Sequence, residues 1–206
     1  MQFRALALLL SCVPAAALAQ LPASLAPRVQ LETTLGNIVI ELDAVRAPLT
    51  AENFLRYVRD GHYDGTIFHR VIAGFVIQGG GYDDKLEQRK PRAPIPNESG
   101  NGLSNQRGTL GLAREESPHS GSAQFYINLV DNGGLNPLPT RWGYTVFGKV
   151  VEGMDVVDRI AYLPTRTVKD FASDVPAEPP VVRRAFVIGE ATPAAAPVAP
   201  PAEPAP

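Results

Sequence analysis

Between Phe68 and Gly80 a run of 13 residues, Phe-His-Arg-Val-Ile-Ala-Gly-Phe-Val-Ile-Gln-Gly-Gly, brings together an arginine, a glutamine and two phenylalanines. Arg70 is always charged and presents a rigid fork of donors, so it can hydrogen-bond a fixed target without titrating. If Phe75 to Gln78 is a strand, Phe75 and Ile77 face one way while Val76 and Gln78 face the other. On composition alone, an ordinary surface arginine and a core phenylalanine would account for the same residues.

Other chemistries find less support. Gly143 to Lys149 spells GxxxxGK, but Val150 follows where a phosphate loop needs Ser or Thr, and the interior Tyr-Thr-Val-Phe is strand-forming. Gly79-Gly80-Gly81 lacks dinucleotide-binding spacing and is better read as backbone that passes close to other backbone or to a ligand. His62, His69 and His119 are not spaced as ligands on one helix, so a metal set is disfavoured. Ser120 and Ser122 beside His119 lie in a polar, turn-rich stretch, and no GxSxG occurs to build a serine nucleophile.

The elements that must position the Arg70 segment are short. Val29 to Leu35, a Gly36-Asn37 turn and Ile38 to Leu42 predict a hairpin. Pro48 to Asp60 carries Ala51, Phe54, Leu55 and Val58 at helical spacing, with Thr50 as N-cap and Gly61 just past the end. Apolar runs at Ile67-Phe68, Phe75 to Ile77, Thr109 to Ala113, Phe125 to Val130, Tyr144 to Phe147 and Val181 to Ile188 predict strands of a closed or nearly closed barrel. Met154 to Ile160 predicts a second, shorter helix.

The 206 residues suit one domain; 45% are hydrophobic and 19% charged. The 20 prolines and 18 glycines leave room for few long helices. A formal charge of −2 provides no basic excess, so nucleic acid is not an expected partner. Residues 1–19 read as a secretory signal, with Arg4, an apolar stretch from Ala5 to Val13, and Ala17-Leu18-Ala19 as cleavage site. Cleavage there would remove Arg4 and Cys12, taking the formal charge to −3 and leaving no cysteine. The competing reading, a lipoprotein with Cys12 lipidated, requires an unusually short signal. Residues 20–27 form a leader, 28–190 the folded domain and 191–206 a Pro/Ala-rich spacer expected to be extended and disordered. No membrane span is expected.

The Phe68–Gly80 run resembles the FHRVIxGFMxQGG signature of the cyclophilins, the cyclosporin-binding peptidyl-prolyl cis-trans isomerases. Arg107 to Ala113, Ser122 to Asn128 and Val146 to Asp155 follow in the family's order, so the resemblance covers about Arg28 to Gly189. The signal and the Phe147 to Asp155 stretch are most similar to the bacterial periplasmic branch. The resemblance implies a mainly β fold, an eight-stranded antiparallel closed barrel capped by two α-helices. It implies rotation about Xaa-Pro bonds, which resonance opposes by ~18–20 kcal/mol. Arg70, Phe75 and Gln78 would be the catalytic set: Arg70 bonding the prolyl nitrogen as it becomes pyramidal, Gln78 orienting Arg70 or binding substrate backbone. Phe75, Val76, Tyr126 and Leu135 would enclose the proline ring, with Ala113, Arg114 and Gln124 along the groove. Tyr144 falls near a position where many eukaryotic members have a binding histidine. No cofactor or metal is implied. The expected partners are proline-containing peptides and unfolded exported proteins, and a monomer is the family expectation.

Three departures stand out. Val76 replaces the usual Met, and Tyr126 replaces the usual Phe, bringing a hydroxyl that needs a partner. Arg114 stands where many members have Asn. Two other functions remain open at this point: a groove that binds proline segments with little turnover, and an unrelated β-barrel ligand binder. Gly134 precedes Leu135, where cyclosporin binders place a tryptophan, and Trp142 is the only tryptophan. Weak cyclosporin binding is therefore expected; titration calorimetry yielding submicromolar affinity would overturn it.

Overall fold

The computed structural model describes residues 26–168, 171 and 174–190. The signal, Cys12, leader residues 20–25 and the 191–206 tail lie outside the described residues. The strands are β1 (Arg28–Thr33), β2 (Gly36–Leu42), β3 (Thr66–Ile72), β4 (Val76–Asp83), β5 (Thr109–Leu112), β6 (Phe125–Asn128), β7 (Val146–Glu152), β8 (Thr165–Arg166), β9 (Val175–Pro176) and β10 (Val181–Val187). Helices α1 (Pro48–Arg59) and α2 (Met154–Ala161) complete the main elements. Eight strands close into an antiparallel barrel in the order β1-β10-β3-β4-β6-β5-β7-β2, while β8 and β9 pair separately.

Alternation builds the barrel wall: in β1, Val29, Leu31 and Thr33 are buried while Arg28 faces solvent. Inside, Phe54 of α1 packs against Tyr63, Phe125 and Phe147 with ring centroids 5.1–5.4 Å apart. Val156, Val157 and Ile160 bury the inner face of α2.

Four local expectations are corrected. The hairpin turn is Thr34-Leu35, because Thr33 pairs with Gly36 and Glu32 with Asn37, placing Gly36-Asn37 inside β2. The Thr33 hydroxyl closes that turn, donating to the Gly36 carbonyl at 2.6 Å and accepting the Leu35 N–H at 3.1 Å. Thr50 does not cap α1. Ala47 occupies the N-cap position without a side-chain bond, and the Glu98 carboxylate accepts the Leu49 and Thr50 N–H groups at 3.1 and 2.8 Å, together with the Thr50 hydroxyl. Phe75 precedes β4, in a turn whose Gly74 has φ +70°, so strand alternation does not set its direction. Finally, Tyr144, Ala113, Val130 and Ile188 fall just outside strands β7, β5, β6 and β10.

A carboxylate delivered to a helix N-terminus satisfies two otherwise unpaired amides and complements the positive end of the helix dipole. Glu98→Ala should therefore lower unfolding stability by about 1–2 kcal/mol, read from urea denaturation, with an unchanged midpoint arguing against the cap.

Candidate functional site

The ladder of the sheet aligns the candidate residues. Arg70 pairs with Gln78, Gln78 with Tyr126, and Tyr126 with Gly111, so one row crosses β3, β4, β6 and β5. Neighbours in such a row stand within side-chain reach. Arg70 Nη1 donates to Gln78 Oε1 at 3.2 Å, and Gln78 Nε2 donates to Gln124 Oε1 at 2.8 Å. Gln124 lies flat against Gly81, where an added Cβ would fall 2.6 Å from its Cγ and Cδ. On the other side Arg70 Nε sits 3.8 Å from Asp174 Oδ2. The guanidinium is thus flanked by an amide and a carboxylate while its side chain stays 39% exposed.

Arg70, Phe75, Val76, Gln78, Ala113, Arg114, Tyr126, Leu135 and Tyr144 line one cavity of about 110 Å³. Gln124 does not line this cavity; it bonds Gln78 and lines an adjoining cavity of about 230 Å³ that shares Arg70 and Gln78 and includes Asp174. The turn before β4 brings Phe75 to the same side as Val76, and the 3-10 turn Gly133–Leu135 adds Leu135. Arg114 forms a rim: its guanidinium lies 4.4 Å from the Tyr144 ring centroid and donates to the carbonyls of Gly143, Glu115, Glu116 and Trp142. Trp142 does not line the cavity; it is 47% exposed and packs edge-on against His119.

The Tyr126 hydroxyl has its partner. It donates to Asn105 Oδ1 at 2.6 Å, away from the apolar lining, and burial pushes the phenol well above its ordinary pKa, keeping it neutral. Asn105, Asn128, Asn132 and Gly111 were missed in the sequence. A carboxamide cluster beside a Phe-to-Tyr change was the available signal, but nothing local indicates that these residues meet.

His69, next to Arg70 in β3, is 4% exposed and packs on Tyr82 at 4.6 Å between ring centroids. Burial, with the Arg70 charge acting in the same direction, lowers its pKa to about 4. At neutral pH His69 therefore adds no positive charge beside the guanidinium. Among the described residues, no group of three or more His, Cys, Asp or Glu is placed to hold a metal ion.

A larger cavity of about 590 Å³ opens between β2, β7 and the Gly102–Gln106 stretch. Its charged groups are already paired, Glu41 with Arg28 and Lys149, and Asp43 with Arg46. Both cations of its lining, Arg46 and Lys149, are thus held by carboxylates of the same lining.

The family model described as cyclophilin type peptidyl-prolyl cis-trans isomerase/CLD matches residues 28–187. The chain is 51% identical over 164 residues to a peptidyl-prolyl cis-trans isomerase of Streptomyces antibioticus, covering 78% of this chain and 98% of that one. It is 44% identical over 166 residues to peptidyl-prolyl cis-trans isomerase A of Dickeya dadantii (strain 3937), covering 81% and 87%. A crystal structure of a Cryptosporidium parvum cyclophilin type isomerase in the presence of the dipeptide Ala-Pro superposes with a TM-score of 0.65 at 25% identity, over 79% of this chain and 99% of that one.

The lowered pKa of His69 has a sign. Between pH 6.5 and about 4 the unfolded chain binds a proton at this site that the folded chain refuses, so stability is complete above 6.5 and lost as pH falls. The full contribution is roughly 3 kcal/mol, at about 1.4 kcal/mol per pH unit. Urea melts from pH 7 to 4.5 should show a steeper loss for wild type than for His69→Gln; parallel slopes would contradict the assignment.

Proposed function

Since the chain belongs to the cyclophilin-type peptidyl-prolyl cis-trans isomerase family and is an enzyme of that class, we propose that Arg70 catalyses Xaa-Pro rotation in the pocket formed by Phe75, Val76, Tyr126 and Leu135. The supporting observation is that the Arg70–Gln78 pair lines one small cavity together with the apolar groups of Phe75, Val76, Tyr126 and Leu135. A proline ring has no polar side-chain group to satisfy, so it gains by leaving water for such a wall. With the ring held there, the preceding peptide lies along Ala113 and Arg114, and Gln78 is within reach of its backbone.

Rotation removes the overlap between the nitrogen lone pair and the carbonyl. In the twisted amide the prolyl nitrogen is pyramidal and basic, whereas in the planar ground state it is a poor acceptor. A guanidinium that donates to that nitrogen therefore stabilises the transition state more than the ground state, which is the condition for catalysis. Gln78 and Asp174 supply the preorganisation: the cation is oriented before substrate arrives, so little reorganisation is required during the step. No covalent intermediate is needed.

The physiological role we propose is acceleration of proline-limited folding steps, otherwise taking ~10–100 s at 25 °C, in proteins exported to the periplasm. The signal-like residues 1–19 support that location. Weak affinity for cyclosporin belongs to the same reading, because Trp142 lies off the cavity.

Isomerisation of an Ala-Pro peptide by wild type and Arg70→Ala, with both folds checked by circular dichroism, tests the mechanism. A charged hydrogen bond contributes ~1.5–3 kcal/mol, so at one decade per ~1.36 kcal/mol the variant should lose roughly one to two decades of rate. A folded variant with wild-type rate would remove Arg70 from the mechanism.

A further inference from the structure

We propose that Asn105 is a positioning residue for the proline pocket, acting through the hydroxyl of Tyr126. The inference rests on the reading of that pocket as the proline site and concerns how its floor is held.

Asn105 is 1% exposed and is anchored by its backbone as well as its side chain. Its N–H and Nδ2 both donate to Asn136 Oδ1, at 2.8 and 3.0 Å, and its carbonyl accepts the Asn132 N–H at 2.7 Å. With Nδ2 committed to Asn136, Oδ1 is left as the acceptor for Tyr126 Oη at 2.6 Å and for Asn128 Nδ2 at 3.2 Å. The acceptor is therefore fixed before the phenol meets it.

At its other end Tyr126 is fixed by the β6 ladder, opposite Gly111. The ring occupies the space above that glycine, where any Cβ would overlap the ring carbon bearing the hydroxyl. One end is thus held by the backbone and the other by Asn105, so the ring presents its apolar surface to the cavity. Gly111 makes room for the ring, and the hydrogen bond sets its tilt.

Without Asn105 the phenol would be buried and lack this acceptor, a costly state. Its nearest relief is to tilt towards the cavity, where water can reach it. A cavity of about 110 Å³ has no spare volume for a displaced hydroxyl and a proline ring together. Substrate binding would suffer, while Arg70 and Gln78, which touch neither Asn105 nor the hydroxyl, keep their geometry.

The test is a cycle of Asn105→Ala and Tyr126→Phe, singly and combined, with KM and kcat for an Ala-Pro peptide measured on protein shown to be folded. Asn105→Ala should raise KM roughly five- to tenfold, the scale of one neutral hydrogen bond at about a decade per 1.4 kcal/mol, with kcat changing less than about twofold. In the Tyr126→Phe background, where there is no hydroxyl to strand, the same substitution should move KM less than about twofold. Asn105→Ser, too short to reach the phenol, replaces the alanine variant if that one does not fold. Unchanged KM in a folded variant overturns the proposal, as does an equal rise in both backgrounds, which would mark Asn105 as a general packing residue. Failure of the pocket reading itself is separable, because Tyr126→Ala would then leave KM unaltered.

Discussion

A side chain in a β-strand has two choices of face, and a one-residue slip in register exchanges them. The pairing of Arg70 with Gln78, Gln78 with Tyr126 and Tyr126 with Gly111 puts a cation, an amide, an aromatic ring and a space in one outward row. Slipping β4 against β3 would move the Gln78 amide away from the guanidinium and expose Ile77, which is fully buried. The packed interior around Phe54, Tyr63 and Phe125 thus enforces the register, and the register composes the site.

Holding a charged side chain at a half-open surface requires partners that leave its charge available. Asp174 lies 3.8 Å away and both side chains are partly exposed, so the pair orients Arg70 and neutralises it little. Gln78 adds direction without charge, and Gln124 fixes Gln78 in turn, itself lying against the bare backbone of Gly81. The buried, neutral His69 adds no competing cation beside it. The polar line therefore acts by geometry more than by summed bond strength.

Behind the pocket the same economy applies to apolar walls. The Asn132 side chain donates to both the Phe75 carbonyl and Asn128 Oδ1, tying the turn that carries Phe75 to the end of β6. Asn136, next to Leu135, is tied to Asn105. Carboxamides, buried at Asn105 and Asn128 and half-buried at Asn132 and Asn136, serve here because each both donates and accepts, so they can satisfy one another. Such a network is directional where aliphatic packing is not, and it links loops that share no ladder.

Much of the protein was legible from local pattern. The family resemblance of the Phe68–Gly80 run, and not its pattern, pointed to Arg70 and Gln78, whereas alternating and β-branched runs located the barrel strands and the 3.6-residue period located both helices. Those features depend on neighbours in the chain, whose periodicity the sequence carries directly. What the structure decided includes two local turns, Thr34-Leu35 in the hairpin and the Gly74 turn that brings Phe75 to the cavity, but the rest depends on residues farther apart: Glu98 as the cap of α1 in place of Thr50, and the β8–β9 pair. The partner of the Tyr126 hydroxyl belongs to this group, since Asn105 is 21 residues away and meets it only after β5 and β6 have paired. A hydrogen bond leaves no periodic trace in sequence, because its donor and acceptor are brought together by closure of the barrel and not by the spacing along either strand.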